Sequence, residues 1–308
     1  MQKVTLDLDN QIDSIKESRV NIGDSNAIKV KHVVIPSMND GKSLNAISTR
    51  KIRETKPKAA AVATIVCSVC LKSMKHFTKS FYHRPVVKEV LKYGCAPLHT
   101  RMNCFQNLFK AGCSKKATEQ GCSYKEMETI LKTKFREELG IRVFEPEVGG
   151  GNSNTGNVGR RFFSNAKKSA EILDIDVEII EKVKELLDII SSGTKFHDPD
   201  QFQLKAVKVW KMYCTNLAEY RGICPTFHRL LAHGDLYLQF AKDIGVPLGK
   251  LSESAIEARN IDNKTVRRYH SRKCGFVEQN TDSFHWLSWT SDPVVCSLRR
   301  KPKRGVRY

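Results

Sequence analysis

Two short motifs far apart set the tightest limit on how this chain can fold. CSVC at 67–70 offers two thiols, and FHRLLAHG at 227–234 offers two imidazoles. Together they have the composition of a closed tetrahedral zinc site. His228 lies 158 positions after Cys70, far beyond the spacing of a compact zinc finger, so one shared ion would tie the front of the chain to its rear. Residues five apart on a helix diverge by about 140°. His228 and His233 therefore face one ion only if their helix ends between them, and Gly234 supplies a helix breaker. The same spacing also reads as two buried thiols and two unrelated histidines.

Charge narrows the partner. Lys and Arg number 52 against 33 acids in 308 residues, a net charge of +19 spread along the chain rather than confined to a tail. That surplus favours a polyanion, with nucleic acid first. No apolar run approaches the roughly 20 residues needed to span a bilayer, and MQKVTLDLDNQ lacks the apolar centre of a secretory signal; neither membrane nor export is expected. Ten Cys without an export signal read as reduced thiols and metal ligands, not a disulfide framework.

Along the chain, Val4, Leu6 and Leu8 alternate with polar residues, which predicts a strand. A polar stretch runs to Asn26, and a β-branched strand is predicted over 28–35, ended by Pro36. A basic linker at 49–60 precedes the apolar run into Cys67. Beyond it the signals are helical. Helices are predicted over 84–93 and 97–111, and from a Ser123/Glu126 capping box to near Gly140. Others follow over 176–192, from Asp198-Pro199 to about Tyr220, over a short 225–234, and as two short pieces after Asn280. GGGNSNTGN at 149–157 is a loop but no P-loop, because no Gly-Lys-Ser/Thr follows. The expected fold class is α+β and mainly helical, with a small β portion in front and a basic disordered tail at 301–308.

The stretch 251–273 reads as one long helix. Glu253 and Glu257 occupy its first half; Lys264, Arg267, Arg268, His270, Arg272 and Lys273 crowd its second. A carboxylate followed by a row of cations suits a place where a metal meets a DNA backbone, and a solvated charged helix has the same pattern. Arg160 and Arg161 could grip phosphate or stand exposed. Cys95, Cys104, Cys113 and Cys122 recur every nine residues, about two and a half helical turns, so neighbours face opposite ways and form no single ligand face.

Six motifs then fall in order: MNDGKSLNAI (38–47), CSVC (67–70), PLH (97–99), TGNVGRR (155–161), FHRLLAHG (227–234) and LSESAIEARN (251–260). In this order the chain resembles Transib-type DNA transposases and the related catalytic subunit of the V(D)J recombinase. The resemblance implies a ribonuclease-H-like core of the DDE type, interrupted by a helical zinc-binding insertion. The core remnant would occupy 1–60, the insertion 61–245 and the catalytic helix region 246–300. Asp40 matches the second catalytic aspartate, and Glu257, rather than Glu253, the catalytic glutamate. Cys67, Cys70, His228 and His233 match four structural zinc ligands. His99 and Arg160 match positions near the scissile phosphate, and Arg161, Lys264, Arg267, Arg268, Arg272 and Lys273 complete the expected DNA-binding set. Two Mg²⁺ or Mn²⁺ ions between the carboxylates would activate a water or 3′-hydroxyl and stabilise the leaving oxygen, giving nicks and hairpins. The expected setting is the nucleus, with DNA, a second copy of the chain and a second recombinase subunit as partners.

One departure matters. The family's first catalytic aspartate lies on the first strand of its core, well upstream of the second, and few residues precede Asp40. The chain is therefore expected to begin inside the core and not to cut DNA alone; Asp7 or Asp9 standing in would complete the enzyme. The rival reading, from a different class, is a non-enzymatic, zinc-stabilised DNA-binding or interaction protein domesticated from a transposon.

Overall fold

Side-chain caps written into the sequence start three of the described helices. The computed structural model describes residues 18–22, 26–30, 67–81, 86–93, 95–143, 156–253, 262–292 and 294–295, which are mainly helical. They fall into two units, Met1–Ser252 and Glu253–Tyr308.

In the first unit, β1 (Ser18–Ile22) and β2 (Asn26–Val30) pair antiparallel, with Val20 opposite Ile28. Helix α1 (Pro97–Gln120) opens on Pro97 and closes at Gly121, φ 65°, where glycine carries no left-handed penalty. Helix α2 (Tyr124–Leu139) has a full capping box: the Ser123 hydroxyl accepts from the Glu126 N–H, and the Glu126 carboxylate accepts from the Ser123 N–H at 3.0 Å. Next come α3 (Gly156–Ser164), α4 (Ala166–Leu173) and α5 (Val177–Ile190), the last capped by Asp176. Helix α6 (Pro199–Asn216) has Asp198 as its cap and Pro199 in its first turn. Helix α7 (Pro225–Asp243) precedes a 3-10 turn, Leu248–Leu251.

Helix α1 is central, touching α2, α3, α4, α5 and α7, while α6 lies along α7. Phe105, Phe109, Phe135 and Phe162 interlock around it, ring centroids 4.9–6.0 Å apart. All four are buried, and each contributes about 1.5–3 kcal/mol of apolar burial. In the second unit, a π-helical turn (Val266–His270) precedes α8 (Phe276–Ser291).

Several expectations change. Helix α1 passes the predicted stop at 111, because Gly112 is a packing point: a Cβ there would lie 2.8 Å from the Cβ of Leu173. Helix α7 likewise runs through Gly234, where a Cβ would lie 2.4 Å from Cε1 of Phe202 on α6. The predicted loop gives way to α3 at Gly156, and α3 and α4 occupy a span assigned no helix. Residues Lys88–Tyr93 form a 3-10 turn instead of an α-helix. Strand β1 lies within the stretch read as polar, its Val20 and Ile22 alternating with Arg19 and Asn21. The two short pieces after Asn280 are one helix, α8.

The helix predicted over 251–273 is shorter at both described ends; residues 262–265 are α-helical, and 254–261 lie outside the described residues. Leu251 ends a 3-10 turn, Ser252 is extended, and the π-helical turn stops at Ser271, φ −113°, ψ 150°. There Lys273 folds back to donate to the carbonyl of Arg268 at 3.0 Å. The predicted strand at 4–8, with Asp7 and Asp9, the linker, Asp40, Glu257 and the basic tail lie outside the described residues. No helix among the described residues is long and apolar enough to cross a membrane.

Candidate metal centre

The CSVC segment is a tight turn. The Cys67 N–H donates to the Lys72 carbonyl at 2.9 Å, and the Leu71 N–H returns to the Cys67 carbonyl at 2.8 Å. Closing it places Leu71 at φ 56°, in the left-handed region that branched side chains rarely occupy. Both thiols thereby point the same way from a short loop. The loop is pinned at Val69, whose carbonyl accepts from Val87 at 2.8 Å, and through Phe77, whose carbonyl accepts the Trp210 indole N–H at 2.8 Å.

Helix α7 brings the imidazoles. Its start is fixed by buried Asn107 on α1, which accepts from the Cys224 N–H at 2.9 Å and donates to the Tyr213 hydroxyl at 2.6 Å. That hydroxyl donates onward to the Arg221 carbonyl at 3.0 Å. Phe77 lies flat on His228, centroids 3.8 Å apart and planes parallel, while His233 stands edge-on to His228 at 5.1 Å.

Cys67, Cys70, His228 and His233 are all buried, and their ligand atoms lie within 4.8 Å of one another, an arrangement that could hold a metal ion. The Cys70 Sγ and His228 Nε2 are 3.4 Å apart. This convergence occurs on an unbroken helix, which corrects the expectation that α7 must end between its histidines. Each ring need lean only about 70° from the bisector of their 140° divergence, and an imidazole is long enough to do so. Buried His233 Nε2 makes no hydrogen bond. An orphaned buried nitrogen is costly, and a metal ligand is a role that would satisfy it. Among the described residues no other Cys/His/acid group meets the same test; Cys104 and Cys113 are buried separately in the core.

The electrostatics agree with a ligand set. Burial raises the Cys67 thiol, but the neighbouring Cys70, His228 and His233 outweigh it and hold it well below its usual range. Cys70, bonded to that sulfur and buried, is pushed up. Burial lowers His228, favouring the neutral form that binds metals. The sequence reading missed Arg229, which is 4% exposed. Burial disfavours its charge, yet Tyr237, Cys67 and Cys95 around it keep it protonated. Its signal was present, a cation inside an apolar HRLLAH run.

The expected DNA contacts divide. Arg160, exposed on α3, donates to Asn157 at 3.1 Å, and half-buried His99 sits in the first turn of α1. Arg161 instead caps α2, donating to the carbonyls of Gly140 (2.9 Å) and Leu139. In the second unit Arg267 holds Asn280, Arg272 holds Asp282, and Lys273 caps the π-helical turn. Lys264 and Arg268 face solvent. In comparisons with known proteins, no family model and no curated protein matches the chain.

Proposed function

We propose that this chain is the C-terminal part of a DDE-type DNA recombinase of the Transib and V(D)J kind, with structural zinc closing its helical insertion onto itself. The observation that supports this reading is the convergence of CSVC with FHRLLAHG across 158 residues, the same four positions the resemblance names. Zinc fits this donor set. Around a tetrahedral zinc, with bonds of about 2.0–2.3 Å, ligand atoms lie roughly 3.3–3.8 Å apart, so the cluster needs to contract by only about 1 Å. Bound there, zinc supplies a cross-link and no open coordination position. Arg229 steadies the Cys67 sulfur, and Phe77 fixes the plane of His228.

The ribonuclease-H-like core, the carboxylates Asp40 and Glu257 with Mg²⁺ or Mn²⁺, the DNA and subunit partners and the nuclear setting belong to the same proposal. The deciding experiment is a supercoiled-plasmid assay. Nicking that requires Mg²⁺ or Mn²⁺ and disappears in both Asp40→Asn and Glu257→Gln marks an enzyme. Salt-sensitive DNA binding without cutting, unchanged by either substitution, fits a recombinase part inactive alone as well as the domesticated binding protein, and zinc at the four positions is then what both readings require. A chain that neither cuts nor binds DNA removes the proposal.

A further inference from the structure

We infer that the second unit carries a docking groove for unpaired DNA bases, formed by α8 and the π-helical turn before it. Asp282, Trp286 and Trp289 recur at helical spacing along one face of α8. Arg272 grips Asp282 through Nε and Nη2, at 3.1 and 2.8 Å, and Arg267 holds Asn280 at 2.6 Å. These bonds set the π-helical turn beside α8, and His270 lies flat on Trp286, centroids 5.1 Å apart and planes 8° from parallel. Trp289 stands edge-on to Trp286 at 6.2 Å. Between them opens a groove of about 540 Å³, within the range of ligand pockets.

Exposure argues that this face meets something. Trp289 is 62% exposed, and Tyr269, next to His270, is 68% exposed. Large aromatics usually bury most of their surface, and clustered exceptions mark binding sites. Charge selects the occupant. Residues 253–308 hold twelve Lys and Arg against six acids. Among the described residues the one carboxylate lining the groove, Asp282, is paired with Arg272, and Lys264 and Arg268 are exposed on the helical segment that carries His270. Aromatic faces beside cations suit nucleobases on a phosphate backbone. In a duplex those base faces are covered by their neighbours, so the groove suits an unpaired strand. Charge of one sign also disfavours a second copy on the same face. The choice of DNA over RNA rests on the recombinase reading above.

The test is a fluorescence titration of the full chain with oligothymidylate. Of the three Trp, Trp210 has its indole N–H bonded to the Phe77 carbonyl in the first unit, so quenching on stacking reports Trp286 and Trp289. Saturable quenching is expected, with the unpaired strand bound more tightly than a duplex of equal length. Trp289→Ala should weaken binding about tenfold or more, and Trp289→Phe should retain most of it. Lys264→Gln and Arg268→Gln should each lower the salt slope by about 0.7. Binding without quenching, or indifferent to Trp289→Ala, overturns the groove. So does a doubled molecular mass that Trp289→Ala abolishes, which would make the occupant a second copy. Tighter binding of oligouridylate overturns the commitment to DNA. A chain lacking zinc and nicking activity that still shows Trp289-dependent quenching would sink the recombinase reading and leave the groove standing.

Discussion

Leu71 bears the local cost of the CSVC turn. A left-handed conformation costs an L-residue about 1–2 kcal/mol, and nothing but the closure of the loop between Cys67 and Lys72 requires it. Glycine would relieve that strain but give back about 0.5–1 kcal/mol in backbone entropy. Leu71→Gly should therefore leave urea stability in the presence of zinc within about 0.5 kcal/mol of the parent, or raise it. Leu71→Val, branched at Cβ, should cost more than about 1 kcal/mol at the same position. Equal losses in both would mean that the leucine side chain, not its backbone, matters. Arg229 poses a different question at the same scale. A buried cation beside Cys67 is placed to orient that sulfur, and losing such a partner typically lowers metal affinity 10- to 100-fold. Competition with a chromophoric chelator should show that loss for Arg229→Met and a smaller one for Arg229→Lys. In the cobalt-substituted protein, Arg229→Met should also shift the sulfur-to-metal charge-transfer band, which a merely structural arginine would leave in place.

Which elements could be read from the sequence follows from where their determinants lie. The starts of α2, α5 and α6 were legible because Ser123, Asp176 and Asp198 cap within three residues of themselves. The continuation of α1 and α7 was not, because Gly112 and Gly234 look like breakers until Leu173 and Phe202 are seen against them. The four members of the buried Cys/His cluster were legible from motif and resemblance. Their meeting on an unbroken α7 was not, since it depends on ring orientation rather than helix phase. Phe77 depends on tertiary neighbours and had no local pattern to give it away, whereas Arg229 was marked only as a cation inside an apolar run. Gly234 makes the point testable. Alanine gains about 1 kcal/mol in helix propensity, but its Cβ would lie 2.4 Å and 2.7 Å from atoms of the buried Phe202 ring. Overpacking of that kind costs about 1–3 kcal/mol, so Gly234→Ala should lower stability in thermal or urea unfolding despite the propensity. Adding Phe202→Leu should recover part of the loss. A stabilised Gly234→Ala would show that α6 and α7 are not held at this distance.

At the scale of the first unit, the Cys/His cluster joins a short loop to a body that has its own core. Small zinc fingers unfold without their ion because the ion is most of what they bury around. Here the Phe105, Phe109, Phe135 and Phe162 cluster is built from residues other than the four candidate ligands. The two cases give different signatures on chelation. If the ion only clamps the 67–81 segment to α7, removing it should leave the far-ultraviolet helical signal nearly intact. The melting temperature should still fall, by about 2–4 °C for each kcal/mol lost in a unit of this size, and protease cleavage should begin near CSVC. Purified protein should hold one zinc per chain by elemental analysis. Cys70→Ser and His233→Ala should each reproduce the chelated state, because either one breaks the closed set. Loss of the helical signal on chelation would make the ion a folding nucleus for the whole unit. A chain that binds no zinc, and melts at the same temperature with and without chelator, would leave the four residues as ordinary core.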